Sequence, residues 1–192
     1  MTSPAAFQTF RSPADFRKWL SANHHRSDGI WLRIFKKNSG RPTITYAEAL
    51  DEALCFGWID GQKQSHDGLS WLQRFTRRRA RSGWSKINTQ HAERLIRDAR
   101  MKPPGKAEVD AAKKDGRWKA AYDSPGNATI PKDFLTALSK DAKAKAFFDL
   151  LNKANTYAIA YRLQTAKKPE TRQRRIANIL AMLANGEKFH GD

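Results

Sequence analysis

Ile30-Trp31-Leu32-Arg33-Ile34-Phe35-Lys36, then Asn38-Ser39-Gly40-Arg41-Pro42, then Thr45-Tyr46-Ala47-Glu48-Ala49-Leu50-Asp51-Glu52-Ala53-Leu54-Cys55-Phe56-Gly57, is the stretch that decides the fold class. The first seven residues are rich in β-formers and read as a strand, closed by five turn residues. Thr45 and Glu48 then form a capping box, and Gly57 stands at the position where helices exit through the left-handed region. A strand and a helix joined by a turn make this an α+β chain. Working outward, Trp58-Ile59-Asp60-Gly61 reads as a turn leading into Gln62-Lys63-Gln64-Ser65. His66-Asp67-Gly68 is a hairpin signal, and Leu69 to Thr76 a second strand. Upstream, Ser12-Pro13-Ala14-Asp15 starts a helix with Ser12 as N-cap and Pro13 at the first helical position. Phe16, Trp19 and Leu20 form its apolar stripe.

Downstream, Arg77-Arg78-Arg79-Ala80-Arg81 crosses into a helix whose apolar positions are expected at Ile87, His91, Leu95, Ile96 and Ala99, ending at Lys102-Pro103-Pro104-Gly105. Residues 106–115 read as a short polar helix and residues 123–131 as a loop. From Lys132 onward the pattern is helical, through Phe134, Leu138, Phe147, Phe148 and Leu163 to a last helix that opens at Pro169 and carries Ile176, Ile179, Leu180 and Leu183. The expected fold is α+β: a small antiparallel sheet with flanking helices (residues 1–105), a short helix and linker (106–131), and a helical segment (132–190) docked on the first part, because a core of that size is near the lower limit for independent folding.

The charge is unusual: 36 Lys and Arg against 19 Asp and Glu give +17 in 192 residues. Residues 74–102 and 162–175 together hold 13 of those 17 excess charges, so the excess is segregated rather than spread. Segregated positive charge favours polyanions, whether nucleic acid or an anionic surface, bound weakly and without specificity. A single cysteine, Cys55, excludes an intrachain disulfide framework and fits a reducing compartment. Arg11, Asp15, Arg17 and Lys18 interrupt any apolar leader, and no run approaches a membrane span, so the expected location is cytoplasmic.

Two blocks carry a family resemblance. Tyr46-Ala47-Glu48-Ala49-Leu50-Asp51-Glu52-Ala53-Leu54-Cys55-Phe56-Gly57-Trp58-Ile59-Asp60-Gly61, and Tyr161-Arg162-Leu163-Gln164-Thr165-Ala166-Lys167-Lys168-Pro169-Glu170-Thr171-Arg172-Gln173-Arg174-Arg175-Ile176, resemble the two signatures of the YdeI/OmpD-associated (bacteriocin-protection) family of bacterial proteins. The resemblance implies a stress-associated bacterial role and resistance to antimicrobial peptides. It supplies no catalytic residues.

Several constellations compete as sites. Arg74, Arg77, Arg78, Arg79, Arg81 and Lys86 are interleaved with Trp71, Phe75 and Trp84, a pattern that suits phosphate neutralisation and base stacking, or equally a solvated face over core aromatics. Arg172, Arg174 and Arg175 open the last helix, where positive charge opposes the helix dipole unless an anion or an acidic neighbour offsets it. Trp58, Asp60 and Glu52, with Lys36, Lys37 and Lys63, are candidates for a small-ligand cleft around the helix exit. Glu48, Asp51, Glu52 and Cys55 share a stripe of one helix, and adjacent carboxylates argue against a reactive thiolate. The five histidines lack paired metal-ligand spacing and no phosphate-loop or dinucleotide fingerprint is present, so neither metal nor cofactor is expected. The sequence therefore points to a non-enzymatic protein acting through a basic surface, with a protein partner open, and secondarily to an enzyme or ligand binder using the Trp58 cleft.

Overall fold

The computed structural model describes residues 6–191. The chain is α+β and divides into two compact units: residues up to Ser82 with Asn88–Lys119, and Gly83–Ile87 with the residues from Ala120 onward.

The first unit is built on a four-stranded sheet of order β1-β2-β4-β3, from β1 (Gln8–Thr9), β2 (Ile30–Phe35), β3 (Trp58–Ser65) and β4 (Ser70–Arg77). The short β1 runs parallel to β2, and β4 pairs antiparallel with both β2 and β3. Helix α1 (Pro13–Asn23) starts as its sequence dictates, with Pro13 at its first position and the Ser12 hydroxyl accepting from the Asp15 N–H. Helix α2 (Tyr46–Cys55) has the full Thr45–Glu48 capping box. The two helices cover one sheet face: the Phe16 ring lies 5.7 Å from Phe75, and Trp19 meets Trp58 edge-on at 5.7 Å. Ile30, Leu32 and Ile34 alternate into the same layer.

Trp58-Ile59-Asp60-Gly61, expected as a turn, is the first half of β3, with Trp58 opposite Arg77. Gly57 alone reverses the chain at φ +73°, so the strand begins at once. Gly61 instead sits in a bulge between Asp60 and Lys63, where the buried Gln73 amide donates to the Gly61 and Gln62 carbonyls at 2.9 and 3.2 Å.

Helix α3 (Lys86–Arg97) also differs from expectation: Ala92 and Leu95 are buried while Ile87 and Ile96 are exposed, and Ala99 lies beyond the helix end at φ +53°. Its rotation places Arg94 in an ion pair with Asp51 at 2.6 Å and His91 beside the same carboxylate at 3.3 Å. Pro103 and Pro104, read as a helix end, open α4 (Pro103–Lys114), where proline is tolerated in the first turn. A Cβ at Gly105 would lie 2.4 Å from the Cys55 carbonyl oxygen, so only glycine lets α4 cross the end of α2 there.

The second unit holds α5 (Lys132–Leu138), α6 (Ala142–Phe148), α7 (Lys153–Gln164) and α8 (Pro169–Ala184). Phe134, Leu138, Ala144, Ile159, Leu163, Ile179 and Leu183 form its core. Tyr161 and Leu135 are exposed, whereas Ile159 is fully buried. Asn155 is buried as well and exchanges two hydrogen bonds with the His190 backbone, pinning the tail across α7.

Candidate functional site

The basic segment concentrates at the end of β4. Arg74 and Thr76, two residues apart, share one face of the strand, and the chain leaves the sheet after Arg77. Arg74, Thr76, Arg77, Arg78, Arg79 and Asp28 line one cleft of about 490 Å³. Arg77 is fixed at its wall, donating to the His25 carbonyl at 3.3 Å and to Asp28 at 3.1 Å. Arg78 is 7% exposed, and its backbone N–H donates to the Gly57 carbonyl at 3.0 Å. The Arg74 guanidinium lies over the half-buried Trp31 ring, 5.6 Å from its centroid. Gly29 makes room at the rim: a Cβ there would lie 2.8 Å from Thr76 Cγ2 and 3.0 Å from Arg74 Nη2. Arg74, Arg77 and Arg79 bring guanidiniums to this concavity, planar donor forks matched to phosphate or carboxylate oxygens, while Arg78 lines it as a buried residue.

A second cleft of about 390 Å³ shares Arg77 and Arg78 with the first and adds His24, His25, Phe56 and Glu108. A third, about 460 Å³, shares Phe56 with the second and carries Arg17, Lys18 and Lys102. These flanking residues come from α1, from the turn after it and from the residues at the start of α4. Their contribution had no local sequence signal, because tertiary packing brings His24, His25 and Glu108 to the end of β4 and sets Lys102 beside α1.

The other basic candidates are placed differently. Arg81 is exposed at φ +67° beyond the strand. Lys86 belongs to the second unit, where it pairs with Asp123 at 2.7 Å. That contact holds the Asp123 carboxyl below the usual carboxylate range, with Gln164 assisting. Arg172 binds Asp133 through two hydrogen bonds of 2.7 and 2.8 Å, lowering that carboxyl's pKa, and donates to the Leu163 carbonyl at 2.6 Å. Arg175 donates to the Arg162 carbonyl, and Arg174 is exposed. The positive charge on α8 thus serves the C-terminal end of α7, where the dipole favours it.

Of the cleft candidates around the helix exit, Trp58 is 0% and Glu52 1% exposed. Trp58 Nε1 donates to the His24 carbonyl at 3.2 Å. Glu52 accepts from Arg17 at 2.6 and 2.8 Å and from Arg100 at 2.8 Å. Asp60 accepts the Tyr46 hydroxyl at 2.8 Å, and burial beside that carboxylate raises the tyrosine pKa. Lys63 covers the Trp71 ring at 4.5 Å, Lys36 donates to the Gly68 carbonyl, and Lys37 sits in a single 3-10 turn (Lys37–Ser39). Tyr46 and Trp71, whose ring centroids are 6.1 Å apart, link Asp60 to Lys63, while Trp58 and Glu52 are buried. Cys55 is buried, and burial first, then Glu52, pushes its thiol up to about 11. Among the described residues no group of three or more His, Cys, Asp or Glu side chains could hold a metal ion, and no helix is long and apolar enough to cross a membrane.

The fold defines an α+β domain bearing a basic cleft, followed by a helical module. Residues 8–108, just over half of the chain, match the family model described as Domain of unknown function (DUF8412), and the chain belongs to that family. Residues 127–186 match the model described as Bacteriocin-protection, YdeI or OmpD-Associated, which supports the resemblance read from the sequence. The Tyr161–Ile176 block lies inside this second match, whereas Tyr46–Gly61 lies inside the first. The second match is consistent with a bacteriocin-protection-related role. No curated protein and no solved structure matches the chain.

Proposed function

We propose that this chain is a non-enzymatic, cytoplasmic binding protein of the bacteriocin-protection type that engages polyanions through the arginine cleft at the end of β4. The observation that supports this reading is the convergence of Arg74, Arg77, Arg78 and Arg79 on a single concavity. A net charge of +17 repels cationic peptides, so direct capture of such a peptide on this surface is disfavoured and an anionic partner fits better. Asp28 is the one carboxylate of the cleft wall and competes with an incoming anion for Arg77.

Titration with inorganic polyphosphate tests the reading. Affinity is expected to fall steeply with salt, as charge neutralisation with counterion release requires. Arg77→Gln with Arg79→Gln, both exposed positions, weakens binding and flattens the salt slope, whereas Asp28→Asn tightens it. Unchanged affinity and slope in the double variant would overturn the reading.

A further inference from the structure

We infer that the polyanion is single-stranded nucleic acid, running through three adjoining clefts, the first of them at the end of β4; this rests on the polyanion reading above and adds the ligand class to it. Three observations point the same way. The first is continuity. Arg77 and Arg78 line both the first and second clefts, and Phe56 both the second and third, so the concavities adjoin one another in succession. Such a succession suits an extended polymer more than a compact anion.

The second observation is the sign of the charge along that succession. Arg74, Arg77, Arg78 and Arg79 stand at one end and Arg17, Lys18 and Lys102 at the other, with Asp28 and Glu108 as the acids in the walls. Arg17 is committed to Glu52, so Lys18 and Lys102 are the cations at that end available to phosphates. Positive charge at both ends of a path is the electrostatic footprint of a backbone-tracking groove.

The third observation separates nucleic acid from a bare polyphosphate or a lipid surface. Arg74, a wall residue of the first cleft, makes a cation–π pair with Trp31 at 5.6 Å from the ring centroid, and Trp31 is half-buried. A guanidinium–indole pair beside a basic cleft is a platform on which an unpaired base can stack. Bases inside a duplex are already stacked and present only their edges in the grooves, so they cannot use it. Concave clefts of 390 to 490 Å³ also suit single nucleotides better than a rigid double helix.

The experiment compares a 15-base single strand, its duplex, polyphosphate of similar charge and phosphatidylglycerol vesicles on the full chain. The single strand is expected to bind tightest. Trp31→Leu lowers single-strand affinity about tenfold, the range of one lost base stack, and leaves polyphosphate binding unchanged. Should Trp31→Leu fold poorly, Arg74→Lys keeps the charge but loses the planar guanidinium, and is expected to remove the preference for the strand over polyphosphate. Lys18→Ser with Lys102→Ser reduces the single-strand salt slope by about 1.4, two contacts' worth, and leaves a four-base strand unaffected. Equal or tighter binding of duplex or vesicles, or no effect of either the stacking or the lysine variants, overturns this inference while leaving polyanion binding in place. Failure to bind polyphosphate as well would remove both.

Discussion

Glu52 shows how one buried residue organises its surroundings. Its carboxylate is almost fully enclosed, but its partners are not: the Arg17 and Arg100 side chains are 47% and 37% exposed. The two sides of the network are therefore unequal. Removing both arginines strands a carboxylate without water, whereas removing the carboxylate leaves guanidiniums that reach solvent. Arg17→Ala with Arg100→Ala is expected to cost about 3–5 kcal/mol in urea unfolding, and Glu52→Gln clearly less. The single arginine variants are each expected to cost less than half of the double, since the remaining arginine still pairs Glu52. Equal losses for Glu52→Gln and the double variant would show that the arginines, not the carboxylate, carry the burial cost. Asp51, one residue earlier, repeats the arrangement with Arg94 at 2.6 Å and Arg100 at 3.5 Å, and so ties α2 to α3 and the turn after it.

Among the elements, the β3–β4 hairpin carries at its turn a carboxylate whose ionisation is expected to contribute to stability. At its turn Asp67 accepts from the Ser70 hydroxyl at 2.7 Å and the Leu69 N–H at 2.9 Å, and pairs with Arg33 at 2.6 Å. The Ser70 hydrogen bond first, with the Leu69 N–H and Arg33, lowers the Asp67 pKa from 3.8 to about 2. A depressed folded-state pKa stabilises only while the carboxylate is ionised. The contribution is thus complete above about pH 4 and lost as pH falls through about 2. Asp67→Asn should be less stable than the parent chain at pH 6, and the difference should shrink steadily between pH 4 and pH 2 in chemical denaturation. A difference independent of pH would mean that the turn geometry, not the charge, is what Asp67 supplies.

At the scale of the whole molecule, the second unit has its own core, with Leu183 fully buried between Phe134, Ile159 and Ile179 among others. Short helices such as α5 and α6, seven residues each, are not stable alone and depend on that core. Leu183→Asp places a carboxyl in it and is expected to destabilise by about 3 kcal/mol or more. Amide exchange in α5 to α8 should accelerate accordingly, and unchanged protection there would show that the core tolerates the charge. The basic cleft belongs to the first unit, so the bulk of the charge proposed to bind polyanions and the residues that match the bacteriocin-protection model lie in different units.

The sequence by itself determined the α+β class, the helix starts at Ser12-Pro13 and Thr45, the exit at Gly57, the hairpin at Asp67-Gly68 and the opening of α8 at Pro169, because capping, turn and proline chemistry act within a few residues. It also located the arginine segment, since charge is additive along a chain. Only the tertiary structure decided that Trp58 begins a strand, since a glycine and an aromatic suit a turn or a pairing edge equally until β4 lies alongside. It decided the rotation of α3, in which Arg94 meets a carboxylate 43 residues away and the helix's own apolar periodicity is not followed. It paired Lys86 and Arg172 with carboxylates of the second unit, turned Arg175 onto the Arg162 carbonyl, and gathered His24, His25 and Asp28 around the end of β4. Which charges meet is fixed by strand register and helix packing, and those depend on contacts between residues far apart in the chain.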